Sequence, residues 1–173
     1  DFMRLNPGRL PELAKDLLRA MIKDGAVELA ADRIQEGEMD IEWVLREYHR
    51  QEREIHEQAK DILAARQLDY SNLKKVKSQL AAQRGIEIDE DGYRYLIDQI
   101  TEMLFHSNNV EEVYADDNEL RRRLLPVLKK YISDEDAIEE QARARLKNLN
   151  EGTVTWDIEI ARQISEIRRE RTG

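Results

Sequence analysis

The chain contains no cysteine. Disulfides, thiolate metal sites and cysteine nucleophiles are therefore excluded together, and a reducing cytoplasm is the expected compartment. Prolines number 3 and glycines 7 in 173 residues, too few for a protein built of short strands and tight turns. Aromatics make up 6%. No apolar run approaches the roughly 20 residues of a membrane span, and no signal-peptide pattern is present. Also missing are a glycine-rich phosphate loop, a Gly-x-Ser-x-Gly elbow and a His-Glu-x-x-His pair. What fills the space is charge, 38% of residues with a net −9, alongside Leu, Ala and Ile. The apolar residues recur at helical spacing, which disordered segments lack, so the expected class is all-α.

The periodicity places the helices. Pro11 suits a first turn, and Leu10, Leu13, Leu17 and Met21 form one apolar face that Gly25 stops. Val27 to Ile34 reads as one or two helical turns ended by Gly37, with Asp40 capping the next helix. That helix, Ile41 to about Arg66, repeats Ile41, Tyr48, Ile55 and Ile62 every seven residues, a coiled-coil-like seam. Ser71 is the expected cap of a further helix carrying Leu73, Val76 and Leu80 and closed by Gly85, with Tyr70 as its hydrophobic staple.

After Asp89, a possible cap, Tyr93, Leu96, Ile97, Ile100, Met103 and Leu104 form a second strong stripe. Ser107-Asn108-Asn109 breaks it, and Val110, Val113 and Tyr114 read as a short helix. Asp116 or Asp117 starts another, with Leu120, Leu124, Val127, Leu128 and Tyr131 inward and Pro126 kinking it. Ser133 is expected to cap a separate helix with Ile138, Ala142 and Leu146. Gly152 breaks the chain, and Thr155 caps a last helix with Trp156, Ile160, Ile164 and Ile167. Trp43 and Trp156 read as core or subunit-interface anchors.

Two halves, 3–85 and 86–173, match at a constant offset of 83 positions: Glu57-Gln58-Ala59 recurs as Glu140-Gln141-Ala142, Val27-Glu28 as Val110-Glu111, Val44-Leu45 as Val127-Leu128, and Tyr48 as Tyr131. The expectation is a tandem duplication of a multi-helix unit, two helical halves packed together or forming one compact body. The first half should hold the longer, straighter helix.

Candidate chemistry is sparse. His49 and His56 lie two turns apart on one helix, about 10 Å of rise, too far for one metal ion. Arg46 and Arg53 stand where a di-iron bundle would place glutamates, so both histidines read as solvent-exposed. His106 is placed to cap a helix or to meet Asp98, Glu102 or Glu111. Glu111, Glu112, Asp116, Asp117 and Glu119 are dense, but the calcium-loop pattern is absent and no metal or cofactor is expected. Arg121–Arg123, Lys129–Lys130 and the C-terminal arginines offer a nucleic-acid reading, opposed by the acidic total and the lack of base-stacking aromatics.

The string Ser107-Asn108-Asn109-Val110-Glu111-Glu112-Val113-Tyr114-Ala115-Asp116-Asp117-Asn118-Glu119-Leu120-Arg121-Arg122 resembles the signature of a bacterial domain-of-unknown-function family, numbered 507. Met3-Arg4-Leu5 with Gly8-Arg9, and Glu151-Gly152-Thr153 with Thr155-Trp156, resemble it too. The resemblance covers nearly the whole chain. It implies a bacterial, cytoplasmic helical protein and no catalytic residue.

The sequence thus leads to a non-enzymatic interaction or scaffold protein that docks a protein partner, with homodimerisation open and no membrane contact. The residues singled out are Asn108, Asn109, Glu111, Asp116, Asp117, Asn118, Arg121 and Arg122, which combine hydrogen-bonding side chains with both signs of charge beside a helix break. The alternative is an accessory nucleic-acid-binding protein acting through the arginine clusters.

Overall fold

The computed structural model describes residues 5–88, 91–147 and 150–172. The element order is α1 (Leu10–Ile22), β1 (Val27–Glu28), α2 (Ile34–Ala65), α3 (Leu73–Arg84), α4 (Asp91–His106), β2 (Glu112–Val113), α5 (Asp117–Arg145) and α6 (Val154–Thr172). Among the described residues the chain is all-α apart from two short strands. It divides into two compact units, Asp1–Lys130 and Tyr131–Gly173. The division falls inside α5 and does not coincide with the sequence halves 3–85 and 86–173.

In the first unit α2 packs against α1, α3 and α4. Leu10, Leu13, Leu17, Leu18 and Met21 of α1 are all but inaccessible, as are Ile41, Leu45 and Ile55 of α2 and Leu96, Ile97 and Ile100 of α4. The seven-residue seam therefore does what its period requires, with Tyr48 buried and Ile62 partly so. Tyr48 also donates its hydroxyl to the Glu87 carbonyl at 2.9 Å and stacks obliquely on Tyr95, 5.8 Å between ring centroids. Farther along, Ala59 and Leu63 meet Leu73 and Val76 of α3.

Several expected stops are not stops. Helix α2 begins at Ile34 and runs through Gly37 and Asp40. Gly37 is there for packing: a Cβ on it would stand 2.6 Å from Leu29 Cδ2, closer than any normal contact, so the bare backbone is what lets the 27–33 segment approach the helix. Val27–Glu28 is a strand, not a helical turn, and so is Glu112–Val113 where a short helix was expected. The two pair antiparallel, Val27 with Val113 and Glu28 with Glu112. Ser71 does not cap α3. Asp69 accepts from the Ser71 amide at 2.8 Å and starts a 3-10 turn, Tyr70–Asn72, that leads into the helix. Gly85, at φ 70°, ends α3 in the left-handed conformation as the sequence implies. The expected cap at Asp89 lies outside the described residues.

Helix α5 likewise passes through Pro126 and through Ser133–Asp136 without interruption, so the second half holds a long helix of its own. In the second unit Ile138, Ala142, Trp156, Ile160 and Ile167 form the core, with Leu146 and Ile164 against it. Glu135, buried, forms a two-point ion pair with Arg168 of α6. The Arg143 guanidinium lies 5.9 Å from the Trp156 ring centre. The α6 cap is Thr153, not Thr155: its hydroxyl accepts from the Trp156 amide at 3.1 Å. The two tryptophans part company. Trp156 is buried, whereas Trp43 is 66% exposed and no part of the core.

Candidate functional site

The segment from Ser107 to Arg123 is tied down by four sets of contacts within the first unit. At the end of α4 the Ser107 hydroxyl donates to Asp40 Oδ2 at 2.7 Å, and Asn109 Nδ2 donates to the same oxygen at 2.9 Å. The Asn109 amide donates to Ser107 Oγ at 3.1 Å, so the turn closes on itself as well as on α2. Arg33 reaches Asn109 Oδ1 at 3.5 Å. Next, the Glu111 amide donates to the Glu28 carbonyl at 2.8 Å and the Tyr114 amide to the Ala26 carbonyl at 2.9 Å. Asp116 then caps α5, its Oδ1 accepting from the Glu119 amide at 2.8 Å. Finally Arg123 reaches back to the end of α1, donating from Nη1 to the carbonyls of Ala20 (3.2 Å) and Lys23 (3.0 Å). The Ala20 carbonyl belongs to the last turn of α1, where a helix end leaves carbonyls without intrahelical partners and a cation is the favoured group to meet them.

These ties divide the eight residues singled out from sequence. Asn109 and Asp116 are occupied in shaping the backbone, and Arg121 pairs with Asp98 across to α4 at 3.2 Å. Asn108, Glu111, Asp117, Asn118 and Arg122 are exposed, and among the described residues their side chains make no hydrogen bond or ion pair. The structure adds residues that the sequence had placed elsewhere. Asp40 had read as a helix cap, and Arg123 as one member of a basic cluster. Tyr114, 68% exposed, reads from sequence as part of a short helix. It stands one residue beyond β2, where its amide still donates to the Ala26 carbonyl, and its side chain is outward.

Two clefts flank the Lys23–Gly25 turn. One, about 440 Å³, is polar and lined by Ala20, Lys23, Asp24, Glu119, Arg122 and Arg123. The other, about 360 Å³, is mostly apolar, with Ile22, Val27, Leu29, Ile34 and Tyr114 in its wall. The Tyr114 hydroxyl donates to Glu28 Oε2 at 3.0 Å. That bond, then the charges of Glu28, Glu112 and Glu111, hold its phenol above the ordinary value.

The histidines fall outside both clefts. His49 and His56 are half-buried rather than exposed. Burial, with Arg53 and Arg46 nearby, lowers the His49 pKa. His106 is exposed in the last turn of α4, and among the described residues it pairs with none of Asp98, Glu102 and Glu111. Among the described residues no group of three or more His, Asp or Glu side chains is arranged to hold a metal ion. No helix among them is long and apolar enough to cross a membrane.

The basic clusters are engaged in part, whereas Arg122, Lys129 and Lys130 are exposed and form no ion pair among the described residues. Arg143 pairs with Glu139 at 2.9 Å, Arg145 with Glu170 at 2.9 Å and Arg168 with Glu135, while Arg171 donates to Gln141 at 3.2 Å. Arg121 and Arg123 are turned to Asp98 and to the α1 terminus, so the Arg121–Arg123 run forms no single basic face.

Fold and site together define a helical protein with a short β ribbon, whose 107–123 segment is anchored by hydrogen bonds and presents polar and aromatic side chains outward. The chain belongs to the family described as Protein of unknown function (DUF507), whose model matches residues 3–173. A search of the curated proteins found no match.

Proposed function

We propose that the protein is a non-enzymatic docking or scaffold protein that binds a protein partner through the surface of residues 107–123. One observation carries the reading. The inward side chains of this segment are spent on fixing it, while Asn108, Glu111, Asp117, Asn118 and Arg122 stand outward, without hydrogen-bond or ion-pair partners among the described residues, on a backbone that is already ordered. A pre-ordered surface gives up little conformational entropy on binding, and that is what makes exposed polar groups useful to a partner. A bacterial cytoplasmic setting belongs to the same proposal and rests on the sequence resemblance alone.

We also propose that the two halves arose by duplication. Ile34 and Asp117, the first residues of α2 and α5, stand 83 positions apart, the offset at which the sequences match. The order helix, strand, long helix, helix occurs twice.

The test is a photoreactive residue in place of Asn118, irradiated in the native cell, with and without nuclease treatment of the lysate. The expected result is a discrete protein adduct that survives nuclease and is lost with Arg122→Glu while helicity is unchanged. Adducts that vanish with nuclease would transfer the reading to nucleic acid, through Arg122, Lys129 and Lys130. An absence of adducts would end it.

A further inference from the structure

The apolar cleft beside the ribbon has a chemistry that specifies its occupant. Val27 forms its floor, buried, while Ile22, Leu29 and Ile34 remain partly exposed around it and Tyr114 stands at its edge. Glu28 accepts from the Tyr114 hydroxyl, Glu112 stands opposite Glu28 in the ribbon with Glu111 beside it in the chain, and none of the three forms an ion pair among the described residues. Several other acids of the first unit have ion-pair partners: Glu42 has Arg46, Glu54 has Arg84 and Asp98 has Arg121. The antiparallel register sets Glu28 opposite Glu112, which is unfavourable for like charges unless something neutralises them.

We infer that this cleft receives an apolar side chain from a lysine- or arginine-rich amphipathic segment of a partner protein, whose cations pair with Glu28, Glu111 and Glu112. The inference rests on the docking reading above and narrows it to one partner chemistry. The 360 Å³ of the cleft is in the range of small-ligand pockets, enough to seat a single leucine or phenylalanine. The Tyr114 ring, held in place by its bond to Glu28, adds a flat aromatic face over which a lysine or guanidinium is attracted. A second copy of this chain is the poorer occupant, because both copies carry net −9.

The test uses the full chain and two labelled synthetic peptides of one amphipathic pattern, Leu/Lys and Leu/Glu, followed by fluorescence anisotropy. The Leu/Lys peptide is expected to bind, more weakly as salt rises, and the Leu/Glu peptide is not. Tyr114→Ala, and separately the triple variant Glu28→Gln, Glu111→Gln, Glu112→Gln, are expected each to weaken binding about tenfold or more. Glu57→Gln with Asp61→Asn, exposed acids more than about 30 Å along α2 from Ile34, is expected to leave it unchanged. Equal loss in that control, or no loss with Tyr114→Ala, would reduce the binding to a general attraction for an acidic protein and overturn the inference. Concentration-dependent self-association lost with Tyr114→Ala would overturn it too, in favour of a second copy. The two proposals fail separately. A protein adduct at position 118 that ignores the cleft variants leaves docking in place and removes the cleft. Peptide binding at the cleft with no adduct does the reverse.

Discussion

Asp40→Ala is the most informative single perturbation, because one carboxylate oxygen holds the whole turn that begins the candidate surface. Asp40 Oδ2 accepts from Ser107 Oγ at 2.7 Å and from Asn109 Nδ2 at 2.9 Å. A hydrogen bond to a charged group contributes about 1.5–3 kcal/mol when well buried. Asp40, Ser107 and Asn109 are only half-buried, so water replaces part of what is lost and about 1 kcal/mol per bond is the better figure. Two bonds give about 2 kcal/mol, and placing Ala within α2 returns about 0.5 kcal/mol of helix propensity. The expected net loss is about 1.5 kcal/mol, a fall in Tm of about 3–6 °C for a chain of this size. Denaturant titration followed by far-ultraviolet circular dichroism measures the first and calorimetry the second. Two accompanying observations separate this account from a general weakening of α2. Hydrogen exchange at the Glu111 and Tyr114 amides, which donate to Glu28 and Ala26, is expected to speed up more than exchange within α3. Asn109→Ala is expected to be non-additive with Asp40→Ala by at least about 0.5 kcal/mol. A loss below about 0.5 kcal/mol, the range of an ordinary surface change, with strict additivity, would refute the reasoning.

Other perturbations follow from particular contacts. Gly37→Ala is expected to stabilise by about 1 kcal/mol in a Leu29→Ala background, where only helix propensity acts, but to be neutral or destabilising in the natural chain, where its Cβ meets Leu29 Cδ2; denaturant titration of the four proteins decides it, and equal effects in both backgrounds would refute the packing role. Trp156→Ala is expected to cost about 3–5 kcal/mol within the small second unit and to lower helicity, seen by circular dichroism, while the tertiary signals of the first unit persist. With Trp43 at 66% exposure and Trp156 buried, acrylamide is expected to quench a Trp156→Phe variant strongly and a Trp43→Phe variant weakly. For His49 the folded pKa is depressed below 6.5, first by burial. The unfolded chain therefore takes up its proton first, and stability present above pH 6.5 is lost as pH falls through that value. His49→Gln is expected to flatten this part of the stability–pH curve, and an unchanged slope would count against the burial.

The helices were legible because their apolar residues repeat over many turns. Leu10 to Met21, Ile41 to Ile62 and Leu96 to Leu104 each commit a whole face, and no local signal outweighs that. Stops and caps were less legible because the same residue types serve other ends. Gly37 reads as a breaker, yet its missing Cβ admits Leu29. The Ser133–Asp136 run reads as a boundary, yet Glu135 turns inward to Arg168 and the helix continues. Thr153 and Thr155 are equivalent by composition, and only the hydroxyl's distance to the Trp156 amide distinguishes them. The strands were illegible for a different reason. Two residues are too few to show alternation, and what makes Val27–Glu28 a strand is its distant partner, Glu112–Val113.

That last point decides how the candidate surface has to be understood. Most of the long-range ties that hold Ser107–Arg123 in the first unit end on a residue between Ala20 and Asp40, Arg121's bond to Asp98 running instead to α4. The carbonyls of Ala20, Lys23, Ala26 and Glu28, the Arg33 guanidinium and the Asp40 carboxylate are all on that earlier stretch. Both clefts are walled by the two stretches together. A reading of the sequence finds the 107–123 string because it is compositionally odd, but the string is half of a surface. The other half is ordinary in composition, a helix end, a turn and a few aliphatics, and it becomes notable only when the ribbon brings it alongside. Substitutions at Leu29 or Ile34 should therefore behave as binding variants in the peptide assay although they lie far from the string in sequence. Leu29→Ala is expected to weaken the Leu/Lys peptide several-fold by enlarging the cleft without touching a charge, and leaving its salt dependence unchanged. If only the carboxylates prove to matter, the surface is electrostatic alone and the cleft contributes nothing to it.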